Sequence, residues 1–367
     1  TCGSGHFEVD AFWMFVGRYE AAAGKTREQM TAAERTQIAR DIIEKHLFGC
    51  DINPYATALT RFRLVLAACD YARPASLRDF RDLRFNIVTI DSLIPYERLM
   101  AGGVQAGTAT ARALGQPDAI ERALPVLRRR YHVVVGNPPY IVAQDTTKRE
   151  LYREHYVSAY SKFGLSAPFT ERFLNFAVDG GRVGLINSNA FARRQFGSKL
   201  IEEVLPKYDL QAVIDLSGAY IPGHGTPTLI LFARNQSPNS NTVIVLSNLK
   251  GEPGTPADPA RGQVWQSVAR GFVHGPGFED VWVDVAERPR KALRQHPWQF
   301  GGAKSRLYEH ISTHGTKKLD AVVDSVGISL FTLTDDVYVF PVDFARRKGF
   351  DGRCLRSMII GEGLRDW

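Results

Sequence analysis

Nowhere in the 367 residues does an apolar run approach the ~20 needed to span a bilayer. The first residues also lack the basic, apolar and small-residue order of a secretory signal, so a cytoplasmic protein with no membrane partner is expected. Cysteine is scarce: Cys2, Cys50, Cys69 and Cys354 stand singly without any Cys-x-x-Cys pair. Neither a zinc site nor a disulfide frame is indicated, and no metal is expected. Internal repeats and long low-complexity tracts are missing too. The charge imbalance is small, 46 Lys and Arg against 39 Asp and Glu, a net +7 that leans toward a polyanionic partner without deciding for one.

What the chain does contain is an alternation of short apolar runs and helical stretches, the pattern of an α/β fold with a largely parallel sheet. Strands are expected at Leu47 to Asp51, Phe85 to Ile90, Tyr131 to Val135, Arg182 to Ile186, Leu210 to Leu216 and Thr228 to Ala233. Helices are expected at Glu8 to Tyr19, Ala32 to Lys45, Tyr55 to Tyr71, Ile120 to Arg130, Pro168 to Val178 and Phe196 to Lys207. Ala101 to Gln116 reads as a surface insertion, and the turn cluster Gln236 to Asn241 as the region where the main domain ends. Beyond it, Val281 to Val285 and Val337 to Phe340 suggest further strands, and Asp280 to Lys291 reads as a surface segment.

Several strands run straight into Asp, Asn or Gly, at the carboxyl edge where open α/β sheets build their sites. The first candidate is Thr1-Cys2-Gly3-Ser4-Gly5-His6-Phe7, ahead of a helix. Glycines at this spacing suit either a tight turn or a loop that brings backbone close to a cofactor. Asp51, followed by Ile52, ends a strand and reads either as a helix cap or as the acceptor of two ribose hydroxyls. Asp91, followed by Ser92, can accept from the exocyclic amine of an adenine ring or serve as a turn aspartate.

Asn137-Pro138-Pro139-Tyr140 follows the apolar strand and Gly136. Two adjacent prolines stiffen the loop and remove two donors, so that carbonyls remain to accept from an amino group. Asn137 adds a side-chain acceptor, and Tyr140 a ring on which a base can stack. Such a cradle orients an aromatic amine for methyl transfer without a metal. Lys148, Arg149, Arg153, Arg193, Arg194 and Lys199 flank it, as phosphate contacts or simply as solvated surface charges.

These stretches, in this order, resemble the amino-methyltransferases of the gamma order. The resemblance covers roughly Thr1 to Asn235, and Thr226 to Asn235 with Gly251-Glu252-Pro253 is similar to the PglX group of bacteriophage-exclusion and phage-growth-limitation systems. It implies a Rossmann-like methyltransferase fold with a mostly parallel sheet, and S-adenosylmethionine as cofactor. By that resemblance Thr1, Cys2, Gly3, Ser4, Gly5, Phe7, Asp51, Ile52, Asp91 and Ser92 hold the cofactor. Asn137, Pro138, Pro139 and Tyr140 are catalytic, and Tyr140 with Tyr220 sandwiches a base extruded from double-stranded DNA. Lys162 to Phe176 falls where the family places a helix near the cofactor's methionine end. The domains implied are a catalytic domain at 1–235 lacking its first strand, a linker or core extension at 236–300, and the start of a target-recognition region at 301–367, where Gly361 to Trp367 resembles that region's beginning.

The activity implied is N6 methylation of adenine in a restriction-modification or anti-phage system, with other defence proteins as partners. RNA or glutamine methylation is the enzymatic alternative. A non-catalytic DNA-binding module is the alternative of another kind.

Overall fold

Glycine in the left-handed region starts and stops the first helix: Gly5 (φ 83°) precedes α1 (His6–Ala23) and Gly24 (φ 62°) ends it. α2 (Ala32–Asp41) opens on a capping box in which the Thr31 hydroxyl accepts from the Glu34 N–H and the Glu34 carboxylate accepts from the Thr31 N–H. It continues as a wide π turn, Ile42–His46, that delivers the chain to β1 (Phe48–Asp51). α3 (Pro54–Ala72) has proline in its first turn and Asn53 as its cap. β2 (Asn86–Thr89), α4 (Ala119–Arg128), β3 (Tyr131–Gly136), α5 (Thr146–His155), α6 (Ser166–Phe176) and β4 (Ala177–Ser188) follow. β5 (Asp209–Asp215), β6 (Thr228–Arg234), β7 (Thr242–Asn248), α7 (Gln263–His274), β8 (Val283–Pro289) and α8 (Val342–Lys348) complete the labelled elements.

The computed structural model describes residues 2–74, 76–95, 119–223, 225–298, 300, 310, 314–315, 317, 321–324 and 339–355. The segments Ala101 to Gln116 and Gly361 to Trp367, with Thr1, Val337 and Tyr338, lie outside them. The chain divides into two compact units, Thr1–Leu307 and Tyr308–Trp367. In the second, α8 sets Phe344 beside Phe340 and Phe350, with ring centroids 5.5 and 6.3 Å away. Among the described residues no helix is long and apolar enough to cross a membrane.

The first unit is an α/β fold, but its strands are mixed in direction and divided between two sheets. β1 and β2 form a parallel pair, and the other six strands lie in the order β3-β4-β6-β5-β7-β8. β3 with β4 and β5 with β7 are parallel, whereas β6 runs against both β4 and β5, and β8 against β7. The mostly parallel sheet expected from the alternation is therefore corrected: among the described residues three strand pairings are parallel and three antiparallel. The turn cluster Gln236 to Asn241 joins β6 to β7, which sits two strands away in the same sheet, so the sheet continues past 235.

Other expectations shift for local reasons. Val178 belongs to β4, not to the helix before it. The helix expected over Phe196 to Lys207 is irregular: a 3-10 turn at Gln195–Gly197, then a π turn at Leu200–Val204 that tightens into a 3-10 turn at Leu205–Lys207, where Pro206 has no N–H to continue a regular helix. Asp280 accepts from the N–H groups of Trp282 and Val283, which delays β8 to Val283. Arg290 is buried rather than on the surface, and its guanidinium donates to Asp209 at 2.9 Å and to the carbonyl of Ser240.

The main core gathers Phe163, Leu174, Phe191 and Leu200 against the larger sheet, each worth roughly 1.5–3 kcal/mol of apolar burial. Trp298 packs edge-on to Phe191 at 5.5 Å while its indole N–H donates to Leu293, so residues up to 298 belong to this core. A second cluster, with Phe12, Leu64 and Tyr71, holds α1, α2 and α3 around β1.

Candidate functional site

The glycine loop folds back on the end of β1. Gly3 (φ 57°) donates its N–H to Oδ2 of Asp51 at 2.9 Å, and Asn53 donates its N–H to Oδ1 of the same carboxylate at 2.9 Å. Asp51 is thus not the cap of α3, a role taken by Asn53, whose Oδ1 accepts from Tyr55. The loop is held from α3 as well: the Thr60 hydroxyl donates to the Gly3 carbonyl and Arg63 to the Ser4 carbonyl. Gly5 has no freedom to change, since a Cβ there would press on Thr60 in addition to the strain of its positive φ. Cys2, Gly3, Ser4, Gly5 and Asp51 are therefore brought together, with Ile52 half exposed beside them and Phe7 facing the cavity between β1 and β3.

Asp91 lies just beyond β2, 7% exposed. Its Oδ1 accepts from the Leu93 N–H at 3.2 Å, and its Oδ2 accepts from the Tyr152 hydroxyl at 2.7 Å and the Lys148 ammonium at 3.2 Å. Burial and this carboxylate together push the Tyr152 phenol well above its ordinary pKa. Ser92 is buried, and its carbonyl accepts from Arg172. Both side-chain donors to Asp91 come from α5, the helix that follows the Asn-Pro-Pro-Tyr loop. A carboxylate offers about four acceptor positions. Asp51 uses one on each oxygen and keeps two; Asp91 uses three and keeps one, on Oδ1.

The loop itself leaves the sheet at buried Gly136. Asn137 is exposed, Pro138 buried and Tyr140 half-buried, and the Tyr140 hydroxyl donates to Asn137 Oδ1 at 2.7 Å. Burial pushes the Tyr140 phenol up to about 12. The loop's exit is braced by Leu165, whose N–H donates to the Ile141 carbonyl at 2.8 Å, and by Gly164, where a Cβ would stand 3.1 Å from the Tyr140 carbonyl. Tyr220 is half-buried in the loop after β5. That loop shares the edge with Asn137, because β3, β4 and β5 all end there: Ser188 pairs with Thr228, and Asp215 with Leu229.

Of the six basic residues flanking the loop, Lys148 is committed to Asp91, and Arg153 donates to Glu150 and to the Ser161 carbonyl. Lys199 lies over the Tyr160 ring at 5.1 Å, whereas Arg193 and Arg194 are exposed. Two acids escaped the sequence reading. Asp215 is buried at the end of β5, with its pKa raised by burial, and follows the same strand-then-acid pattern that marks Asp51 and Asp91. Glu8, 8% exposed beside Gly49, is pushed up to about 7 by burial; the sequence marked it only as the start of a helix.

Residues 45–221, which hold every one of the strand-end residues Asp51, Asp91 and Asn137, match the family described as Eco57I restriction-modification methylase. The chain is 31% identical over 390 aligned residues to the adenine-specific methyltransferase PglX of Streptomyces coelicolor, across 100% of this chain and 31% of that protein. It is 33% identical over 146 residues to the type II methyltransferase M.XhoI of Xanthomonas vasicola, across 38% of this chain and 26% of that one. Among solved structures, the modification subunit of a putative type I restriction enzyme from Vibrio vulnificus YJ016 aligns at 14% identity with a TM-score of 0.48, covering 78% of this chain and 50% of that one. The chain thus spans under a third of the length of the two methyltransferase relatives.

Proposed function

Because residues 45–221 match the family described as Eco57I restriction-modification methylase, we propose that the protein transfers a methyl group to the exocyclic N6 amine of adenine in double-stranded DNA, within an anti-phage or restriction-modification system. The observation that carries the proposal is the acceptor at the sheet edge: Asn137 Oδ1, held toward Tyr140 at the end of β3. The finer fold we infer is that of the S-adenosylmethionine-dependent methyltransferases, with the outer edge of β1 turned toward the position of that fold's first strand.

The residues fit that cofactor. S-adenosylmethionine, when bound, supplies an electrophilic methyl group. Asp51 retains one acceptor position on each oxygen, the complement of a pair of ribose hydroxyls, and Asp91 retains one, the complement of a single amine N–H. The loop at Cys2 to Gly5, with Phe7 behind it and Ile52 and Ser92 at its sides, supplies close-lying backbone at the start of α1.

The chain's own contribution to transfer is orientation and desolvation. Asn137 Oδ1 and the Pro138 carbonyl accept the two N–H groups of the amine, which fixes its lone pair in one direction. Tyr140, with Tyr220 opposite, stacks on the extruded base and excludes water. The nitrogen that has accepted the methyl group then sheds one proton to solvent.

The test is transfer of labelled methyl groups by the full-length protein to duplex DNA, RNA and protein substrates in parallel. Label in adenine of the duplex alone is expected. Label confined to RNA or to glutamine overturns the DNA assignment, and label in none favours the non-catalytic binding module.

A further inference from the structure

The acids assigned to the cofactor and the loop assigned to the base stand on different sheets. Asp51 closes β1 and Asp91 lies just beyond β2, whereas Asn137 to Tyr140 follows β3 at the edge of the six-stranded sheet. Among the described strands no backbone ladder joins β1 or β2 to β3. Methyl transfer nevertheless requires the two sites to hold one geometry, since a misplacement of about 1 Å costs on the order of a hundredfold in rate.

Residues 142–164 reach from one site to the other. The segment leaves the loop after Ile141 and returns to it at Leu165, whose N–H donates to the Ile141 carbonyl at 2.8 Å, so both of its ends are fixed at the exit from Tyr140. Within it Asp145 caps α5, its side chain accepting from the Lys148 N–H and its carbonyl from the Arg149 N–H. Lys148, Tyr152 and Tyr156 recur at i, i+4 and i+8, a single stripe of the helix and its cap. All three reach the turn after β2. The Lys148 ammonium and the Tyr152 hydroxyl donate to Asp91 Oδ2 at 3.2 and 2.7 Å, and the Tyr156 hydroxyl donates to the Leu93 carbonyl at 2.8 Å. α6 closes the far side: Glu171 accepts from the Ser158 N–H and hydroxyl, and Arg172 donates to the Ser92 carbonyl.

A turn aspartate needs only the N–H two residues on, which Oδ1 of Asp91 already accepts from Leu93. The two further donors both fall on Oδ2, which leaves the open position on Oδ1. The two oxygens turn together about one Cβ–Cγ bond. Whatever fixes Oδ1 from the cofactor side therefore fixes Oδ2, and through Oδ2 the stripe on α5 and the loop to which its segment is tied. The Lys148–Asp91 pair is largely shielded from water, so solvent and salt do little to loosen that link.

We propose that Lys148 and Tyr152 are positioning residues that make Asp91 a joint between the cofactor site and the base site. An amine held at Oδ1 steadies α5 and the Asn-Pro-Pro-Tyr loop, and a base held by the loop steadies Asp91 in return. The inference rests on the cofactor reading of Asp51 and Asp91 given above, and each of the two side chains acts through Asp91.

The test follows amide hydrogen exchange of the full-length protein with and without saturating S-adenosylhomocysteine, which carries the adenosine but no methyl group to transfer, so it needs neither DNA nor catalysis. With the ligand, exchange is expected to slow at least about fivefold at Gly3 to Gly5 and Asp51 to Asn53, and also at Lys148 to Tyr156, Tyr140 and Ile141. Y152F and K148M are each expected to keep the slowing at the first two stretches and to cut that at Tyr140 and Ile141 at least about twofold, whereas K148R, which retains the cation, preserves it. Y152F removes one oxygen and keeps the ring, so it carries the test where K148M does not fold. A merely stabilising pair would speed exchange in α5 equally with and without ligand and leave the ligand-induced slowing at Tyr140 and Ile141 unchanged; that result overturns the proposal. So does slowing at Gly3 to Gly5 and Asp51 to Asn53 with none at α5. No slowing anywhere overturns the cofactor reading and the proposal with it, which keeps the two failures distinct.

Discussion

The hydroxyl of Tyr140 donates to Oδ1 of Asn137 across 2.7 Å, so the aromatic ring and the amide acceptor of the Asn-Pro-Pro-Tyr loop are locked to each other. Both groups are assigned to the same substrate, the ring to its face and the amide oxygen to its amine. Phenylalanine and alanine at 140 therefore separate two roles. Y140F keeps the ring and removes the hydroxyl that donates to Asn137, and single-turnover methylation by the full-length protein is expected to stay within about threefold of the original rate. Y140A removes a stack worth about 1–3 kcal/mol, and a loss of roughly 5- to 150-fold is expected.

Asp51 joins the glycine loop to β1 and keeps two open acceptor positions. D51A is expected to weaken S-adenosylmethionine binding at least about tenfold, as hydrogen bonds to a charged acceptor contribute about 1.5–3 kcal/mol each. Calorimetric titration of the full-length protein measures this. An unchanged affinity would remove Asp51 from the cofactor site.

Glu8 predicts a pH dependence. Burial raises its pKa from 4.5 to about 7 in the folded chain, so the fold favours the protonated form. Its stabilising share is complete below pH 4.5 and is lost as the pH rises through 7, where ionising a buried carboxyl costs about 3 kcal/mol. Urea midpoints should fall between pH 5 and pH 8, and E8Q should flatten that decline. A wild-type midpoint as steady as that of E8Q contradicts it.

Arg290 and Asp209 form a buried pair that ties β8 to β5. R290M removes the cation that answers buried Asp209, with an expected loss of about 3–5 kcal/mol of stability, whereas R290M/D209N should recover most of it. Chemical unfolding of the four proteins of this cycle supplies the comparison.

The strand-end residues were legible because each follows a short apolar run directly: Cys50 before Asp51, Ile90 before Asp91, Val135 and Gly136 before Asn137. Strand direction was not. Thr228 to Arg234 has the same apolar texture whichever way it runs, and only the return of the chain through residues 217–227 sets it against β4 and β5. β7 was hidden behind the polar cluster at 236–241, which marks a turn equally well inside a sheet or at its end. The partners of Asp91 were invisible because Lys148 and Tyr152 lie 57 and 61 residues away, and a lysine near a functional loop reads as a phosphate contact until its carboxylate is seen.

The most direct measurement is mass spectrometry of nucleosides from duplex DNA incubated with S-adenosylmethionine and the full-length protein, beside its N137A variant. N6-methyladenine is predicted with the first protein and at least about a hundredfold less with the second, since alanine removes the acceptor that orients the amine. No N6-methyladenine with either protein, or equal amounts with both, would contradict the assignment of Asn137 to adenine methylation.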